Sequence, residues 1–235
     1  MSEARTQTAG AGEQRRVVGV LREAEAARPE VRVEEWDGRL VVVKDYRVNA
    51  TRVKLWVGKY LVAREAAAHR WLAGLDGIPE AVATGSPYVF GHEYVEGSPA
   101  PEVPERLTAS FFEHLYKLIA AIHERGVAHG DLKRLENIIV RPDGMPAVVD
   151  LSAAIMPGSN PMAALLLGYI QDDDLRAVAK LKQRHAPHLL CQWECELLAR
   201  RPFAERAWRW IRAYLRPHLQ RMSDARECRM TKETP

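Results

Sequence analysis

The stretch Val127–Asp150, V-A-H-G-D-L-K-R-L-E-N-I-I-V-R-P-D-G-M-P-A-V-V-D, decides the fold. It begins with a His-x-Asp-Leu-Lys run and passes through Asn137 into a short apolar segment. It turns at Pro142-Asp143-Gly144 and returns as a second apolar segment ending in Asp150. This pattern predicts a β-hairpin with an amide at one end and a carboxylate at the other. Such hard oxygen donors suit Mg²⁺, which takes one or two protein oxygens and completes its shell with substrate phosphates. Asn137 and Asp150 are therefore candidate metal ligands. Asp131, just ahead of them, is placed to take a proton from an attacking hydroxyl. Lys133, two residues on, is placed to meet the charge of a transferring phosphoryl. Metal, base and compensating positive charge are what phosphoryl transfer requires.

These residues resemble the catalytic loop and metal-binding strand pair of the protein-kinase-like superfamily. His129, Asp131, Leu132, Lys133 and Asn137 match H-x-D-L-K…N, and Asp150 matches the Asp of D-F-G. Gly130 stands where Arg is usual, which argues against control by a phosphorylated activation loop. Leu151-Ser152 stand in place of Phe-Gly. One extra residue separates Asp131 from Asn137, so the loop bulges or Glu136 takes the metal position. The bulge is favoured, because Asn137 keeps its place relative to the following strand. The alternative is an ordinary hairpin with Asp and Asn as turn and cap residues. It leaves the matched positions and the hairpin spacing without a reason.

At 235 residues the chain can form one large domain or a small two-lobed one. A net charge of +3 is too small to imply nucleic-acid binding, and none is expected. Cys191, Cys195 and Cys228 are odd in number and lack metal-cluster spacing, which suits a reducing compartment. The polar N-terminus lacks the apolar core of a secretory signal. No apolar run approaches the roughly 20 residues that span a bilayer. A cytoplasmic location is expected, with peripheral contact on the inner face of a bacterial inner membrane left open.

Residues 1–14 read as a disordered tail, and Arg15–Arg28, rich in Ala and Glu, as a helix closed by Pro29. Val31–Trp36 alternates as a half-buried strand does. Asp37-Gly38 is a two-residue hairpin turn, and Arg39–Lys44 is the returning strand. A helix is expected from about Thr51 to Ala73, with Glu65 on it. Ala81–Ala83 and Tyr88–Val95 read as strands. Phe111, Phe112, Leu115, Leu118, Ile119 and Ile122 recur at helical spacing within Arg106–Arg125, and Gly126 ends that helix. Asp172-Asp173-Asp174 reads as the opening of a helix that runs to Arg184, with acids suited to its N-terminal dipole. Further helices are expected over Leu189–Arg200 and Ala204–Met222. The last has an arginine-rich, aromatic border of the kind that can lie on an anionic membrane surface, or can simply be a solvated face. Residues 223–235 read as a frayed tail.

The resemblance implies an α+β, two-lobed protein-kinase-like fold. A small antiparallel N-lobe with one main helix would span 15–95, and a mostly helical C-lobe 96–222. It implies ATP with Mg²⁺ and a hydroxyl acceptor. It gives Lys44, at the end of its strand, the place of the nucleotide-phosphate lysine, with Glu65 pairing it. It makes Glu93, Tyr94 and Val95 the hinge that meets the adenine edge. It has Asp174 hold the catalytic-loop backbone. Within the superfamily the chain is most similar to the bacterial lipopolysaccharide kinase (Kdo/WaaP-type) group and to RIO-like atypical kinases. The similarity runs through Arg64-Glu65, Trp71–Pro79, the H-G-D-L-K loop and Asp174–Pro187. The acceptor is then a lipopolysaccharide core sugar or a protein Ser/Thr. No G-x-G-x-x-G precedes Lys44: Gly10 and Gly12 are too distant and Gly19 stands alone. That absence keeps a nucleotide-binding pseudokinase or scaffold in view. A small-molecule kinase of aminoglycoside or choline type is the third reading, against which Lys133 counts.

Overall fold

Five antiparallel strands make the first sheet, in the order β1-β2-β3-β5-β4: β1 (Arg15–Arg22), β2 (Glu30–Trp36), β3 (Arg39–Asp45), β4 (Ala81–Val82) and β5 (Val89–Glu93). The computed structural model describes residues 14–25, 28–48, 51–157 and 161–199. The β2–β3 connection is the expected Asp37-Gly38 turn. Both residues have positive φ, 47° and 82°, as the primed hairpin turns require. Arg15–Arg22 is a strand and not the expected helix. Val17 and Val20 are β-branched and pair along β2, with Val18 at a break in the register between them, whereas the Ala- and Glu-rich run is only Glu23–Ala27, too short to nucleate a helix against that pairing.

Helix α1 (Arg52–Trp71) packs on this sheet through Val62, in a cluster with Tyr46 of the β3 end and Phe90 of β5. Gly58 makes the approach possible, since a Cβ there would lie 2.7 Å from the Cβ of Tyr46. Ala68 and Leu72, at the other end of α1, enter the larger core.

That core is built on α2 (Ala109–Glu124) and α3 (Pro161–His185). Thr108 caps α2 by accepting the Phe111 N–H at 3.2 Å. Gly126, at φ 72°, ends it. The predicted apolar face is the buried one: Phe111, Phe112, Leu115, Leu118, Ile119 and Ile122 meet Val127, Leu132, Ile138, Val148, Val178 and Leu181. Each such side chain contributes about 1.5–3 kcal/mol by leaving water. A second sheet, β6 (Ser98–Pro99), β7 (Ile138–Val140) and β8 (Pro146–Val148), contains the predicted hairpin.

Helix α3 starts at Pro161, not at Asp172, so the Asp triplet lies within the helix and not at its dipole end. Proline is preorganised for the first helical position, and Met162–Leu167 continues with strong helix formers. The chain divides at Cys191 into two units, Met1–Cys191 and Gln192–Pro235. In the second, α4 (Gln192–Ala199) occupies the expected helix after Leu189. Cys191 and Cys195 are thiols outside any disulfide. The expected N-terminal tail up to residue 13, the basic helix Ala204–Met222, the frayed tail and Cys228 lie outside the described residues. Among the described residues no helix is long and apolar enough to cross a membrane.

Candidate active site

Lys44 enters the interior because β3 is paired on both sides, with Val31 of β2 and Phe90 of β5 opposite it. Its Nζ lies 2.6 Å from Glu65 Oε1 and 2.6 Å from Asp150 Oδ1. Glu65 is fully buried on α1, and Asp150 sits at the end of the β7–β8 hairpin in left-handed backbone, φ 64° and ψ 68°. Asp is one of the few residues that tolerates that region. Burial alone would push Lys44 down, but the two carboxylates outweigh it and hold the ammonium above its ordinary range. Burial would likewise raise Asp150, yet Lys44 draws its carboxyl well below the usual carboxylate range. Burial pushes Glu65 up, against the pull of Lys44.

The loop carrying Asp131 is fixed from below. Asp174 of α3 accepts the backbone N–H groups of His129 at 2.7 Å and Gly130 at 3.0 Å, and its Oδ2 lies 3.2 Å from His123 Nε2. His129 is wholly buried. Its Nε2–H donates to the Val149 carbonyl at 3.0 Å, which leaves Nδ1 to accept the Asp131 N–H at 3.3 Å. Gly130 has φ 78°, and a Cβ there would lie 2.8 Å from the Ala153 carbonyl oxygen.

Asn137 closes a 3-10 turn, Leu135–Asn137, that absorbs the extra loop residue. Its Nδ2 donates to the Asp131 carbonyl at 3.1 Å, and its own carbonyl accepts the Val149 N–H at 3.0 Å. The amide nitrogen is thus committed to the loop, which leaves the amide oxygen as the atom that could hold a metal. Glu136, the rival for the metal position, is exposed.

Lys44, Asp131 and Asp150 line one cavity of about 400 Å³, together with Arg22, Arg28, Arg64 and Arg134. Arg134 Nε lies 3.3 Å from Asp131 Oδ2, and Arg64 Nη2 donates to the Ala154 carbonyl at 2.9 Å. Lys133 does not line this cavity. Its side chain is 81% exposed and its Nζ lies 3.9 Å from Asp131 Oδ1. Glu93, Tyr94 and Val95 line a different cavity, of about 720 Å³, between the Gly74–Glu80 and Arg141–Asp143 segments. The Tyr94 N–H is engaged by the Leu40 carbonyl at 3.0 Å.

No site role is assigned to Arg22, Arg28, Arg64 or Arg134 from the sequence, although Arg64 lies in a segment that carries the resemblance. Arg134 carried a signal, since it follows Lys133 in a lengthened loop and can compete for its place. The other three carry none for a site role, because only the tertiary fold turns them toward Asp150.

No family model and no curated protein matches the chain. Among solved structures it is similar to the Rio2 kinase from Chaetomium thermophilum, at 20% identity and a TM-score of 0.54, over 72% of this chain and 58% of that one. It is also similar to the Rio2 kinase–ADP/Mg²⁺–phosphoaspartate complex from Chaetomium thermophilum, at 19% identity and a TM-score of 0.57, over 75% of this chain and 58% of that one. The fold is therefore α+β and two-lobed, of the protein-kinase-like kind. The chain spans 58% of the length of these Rio2 chains.

Proposed function

We propose that the chain is an ATP- and Mg²⁺-dependent phosphotransferase that moves the γ-phosphoryl to a hydroxyl. One observation carries this: the Lys44–Glu65 pair, Asp150 and Asp131 converge on a single cleft, with the Asn137 amide bonded to the Asp131 backbone. In this reading the acceptor's O–H proton passes to the Asp131 carboxylate as its oxygen forms a bond to the γ-phosphorus. The bond from that phosphorus to the β–γ bridging oxygen breaks, and ADP leaves. Lys44, held by Glu65, orients the nucleotide phosphates. Lys133 and Arg134, both near Asp131, offset charge at the transferring group.

The donor set fits magnesium. Asp150 stays ionised and Asn137 offers an amide oxygen, both hard ligands. When bound there, the ion would neutralise charge on the phosphate oxygens. The Rio2 complex, which holds ADP and Mg²⁺ in a chain of the same fold, supports this nucleotide and this ion. The resemblance gives the base to the backbone of Glu93, Tyr94 and Val95, but these residues line the separate cavity of about 720 Å³, and the Glu93 and Tyr94 N–H groups are engaged by the Glu80 and Leu40 carbonyls, so that assignment rests on the resemblance alone.

The acceptor is either a lipopolysaccharide core sugar or a protein Ser/Thr. The first rests on sequence resemblance alone. The second has the Rio-type fold in its favour. A reducing, cytoplasmic setting is part of this proposal and rests on the number and spacing of the cysteines in the sequence.

The phosphoaspartate of the Rio2 complex favours a second reading, in which a cleft carboxylate, Asp131 or Asp150, receives the phosphoryl and water then releases it. Incubation with γ-labelled ATP and Mg²⁺, with lipopolysaccharide or a protein lysate, tests both readings. A label on lipopolysaccharide or on protein hydroxyls supports the first. A hydroxylamine-labile label on the chain itself supports the second. Asp131→Ala should cut transfer to an acceptor by orders of magnitude while sparing ATP binding. A variant as active as wild type would overturn the base assignment.

A further inference from the structure

Arg22, Arg28 and Pro29, at the two ends of the β1–β2 connection, line the cavity that holds Lys44 and Asp150, and the sequence of that connection lacks the means to hold phosphate by backbone. Between Val20 and Asp37 there is no glycine, so no residue there is freed for the left-handed turns that aim successive N–H groups at an anion. Gly19 lies within β1 and has no neighbour within 4 Å of a would-be Cβ. Pro29, which lines the cavity, has no N–H at all.

Side chains occupy the same position. Arg22, the last residue of β1, lines the cavity, and its Nε is buried with no hydrogen-bond partner among the described residues. A buried guanidinium donor without an acceptor is costly unless a ligand supplies one. Arg28, on the other side of the connection, also lines the cavity. Its side chain is 52% exposed, and its ion pair with Glu25 is long, at 3.8 Å. With Lys44, Arg64 and Arg134, five cationic side chains line a cavity to which Asp131 and Asp150 are the only acidic contributors among the described residues. The excess of positive charge suits a polyphosphate.

We infer that Arg22 and Arg28 hold the terminal phosphates of the nucleotide by side-chain charge, in the place where a glycine-rich backbone turn is missing. This rests on the reading that the cleft takes a nucleoside triphosphate. Guanidinium forks bind phosphate oxygens in pairs and strongly. They also respond to ionic strength in a way that fixed backbone dipoles do not. The chain should therefore grade ligands by phosphate charge, ATP above ADP above adenosine, and that grading should collapse in salt.

Titration calorimetry with Mg²⁺ and ATP, ADP or adenosine, at low and high KCl, tests this on the full chain and on Arg22→Met, Arg28→Met and the double variant. Each single variant should lose roughly 10- to 100-fold in ATP affinity. Adenosine affinity should stay unchanged, which also shows that the variants fold. The salt dependence should flatten in the double variant, and Arg22→Lys should recover part of the loss. A double variant that keeps wild-type ATP affinity and salt dependence overturns the inference and leaves the nucleotide reading standing. A wild-type chain that binds neither ATP nor adenosine overturns both.

Discussion

Asp174 Oδ2 lies 2.7 Å from the backbone N–H of His129, and its other oxygen lies 3.0 Å from that of Gly130. One carboxylate, 2% exposed and well inside α3, therefore sets the position of the loop that presents Asp131. Asp174→Ala would leave two loop N–H groups without an acceptor. Each buried orphan costs about 1–3 kcal/mol, so a loss of about 3 kcal/mol is expected in denaturant unfolding. Phosphoryl transfer should fall with it. Asp174→Asn, with one acceptor oxygen in place of two, should lie between the variant and wild type.

Lys44→Met removes the cation shared by Glu65 and Asp150. Breaking a buried pair from one side costs about 3–5 kcal/mol, and ATP affinity should drop as well. The pH dependence follows from the signs. Asp150 is held below its unfolded value, so its contribution is complete above about pH 4 and is lost as pH falls toward the folded value. Lys44 is held above its unfolded value, so its contribution is complete below about pH 10 and is lost as pH rises through the folded value. The part of the stability difference between wild type and Lys44→Met that comes from the Lys44–Asp150 pair should therefore shrink at both extremes.

His69, His92 and His129 are buried, and burial lowers all three, His69 to about 4 and His92 to about 3. In the unfolded chain they protonate near pH 6.5. Below that pH the unfolded state binds more protons than the folded one, so stability falls as pH falls. His69 and His92 each contribute about 1.4 kcal/mol per pH unit in that window, and His129 acts in the same direction. Denaturant titrations should show a steep decline from pH 6 to 5, and His92→Phe should flatten it by about one proton.

Gly130→Ala combines a left-handed backbone with a Cβ placed 2.8 Å from the Ala153 carbonyl oxygen. The conformation alone costs about 1–2 kcal/mol, so destabilisation of at least that size is expected. Because Gly130 adjoins Asp131, kcat should suffer more than ATP affinity, which steady-state kinetics would resolve.

The sequence made legible those features in which a local signal and the fold agree. Asp37-Gly38 declares its turn because few other pairs accept positive φ twice. The α2 face was legible because its six buried residues repeat at the helical period. The Lys44–Glu65 pair was reachable only through resemblance, since 21 residues separate the two. The β1 strand was hidden by the Ala- and Glu-rich run beside it, because helix propensity is local while strand pairing is not. Asp174 was singled out for the loop-holding role, but its place within α3 was not foreseen, because an acidic triplet resembles a helix start. Arg22, Arg28 and Arg64 are ordinary surface residues until β1, α1 and the hairpin come together.

The lysine clasped by Glu65 and Asp150 gives this cleft an internal understudy for its ligand. The ammonium already has two anions in its grasp, and the carboxylate proposed as a metal ligand is already answered by a cation. Under the proposed function, admission of a nucleotide is an exchange of partners and not the filling of a void. The measured affinity reports the difference between the two arrangements. Loosening the resident arrangement, for example by Glu65→Gln, changes that difference without touching any atom the nucleotide meets.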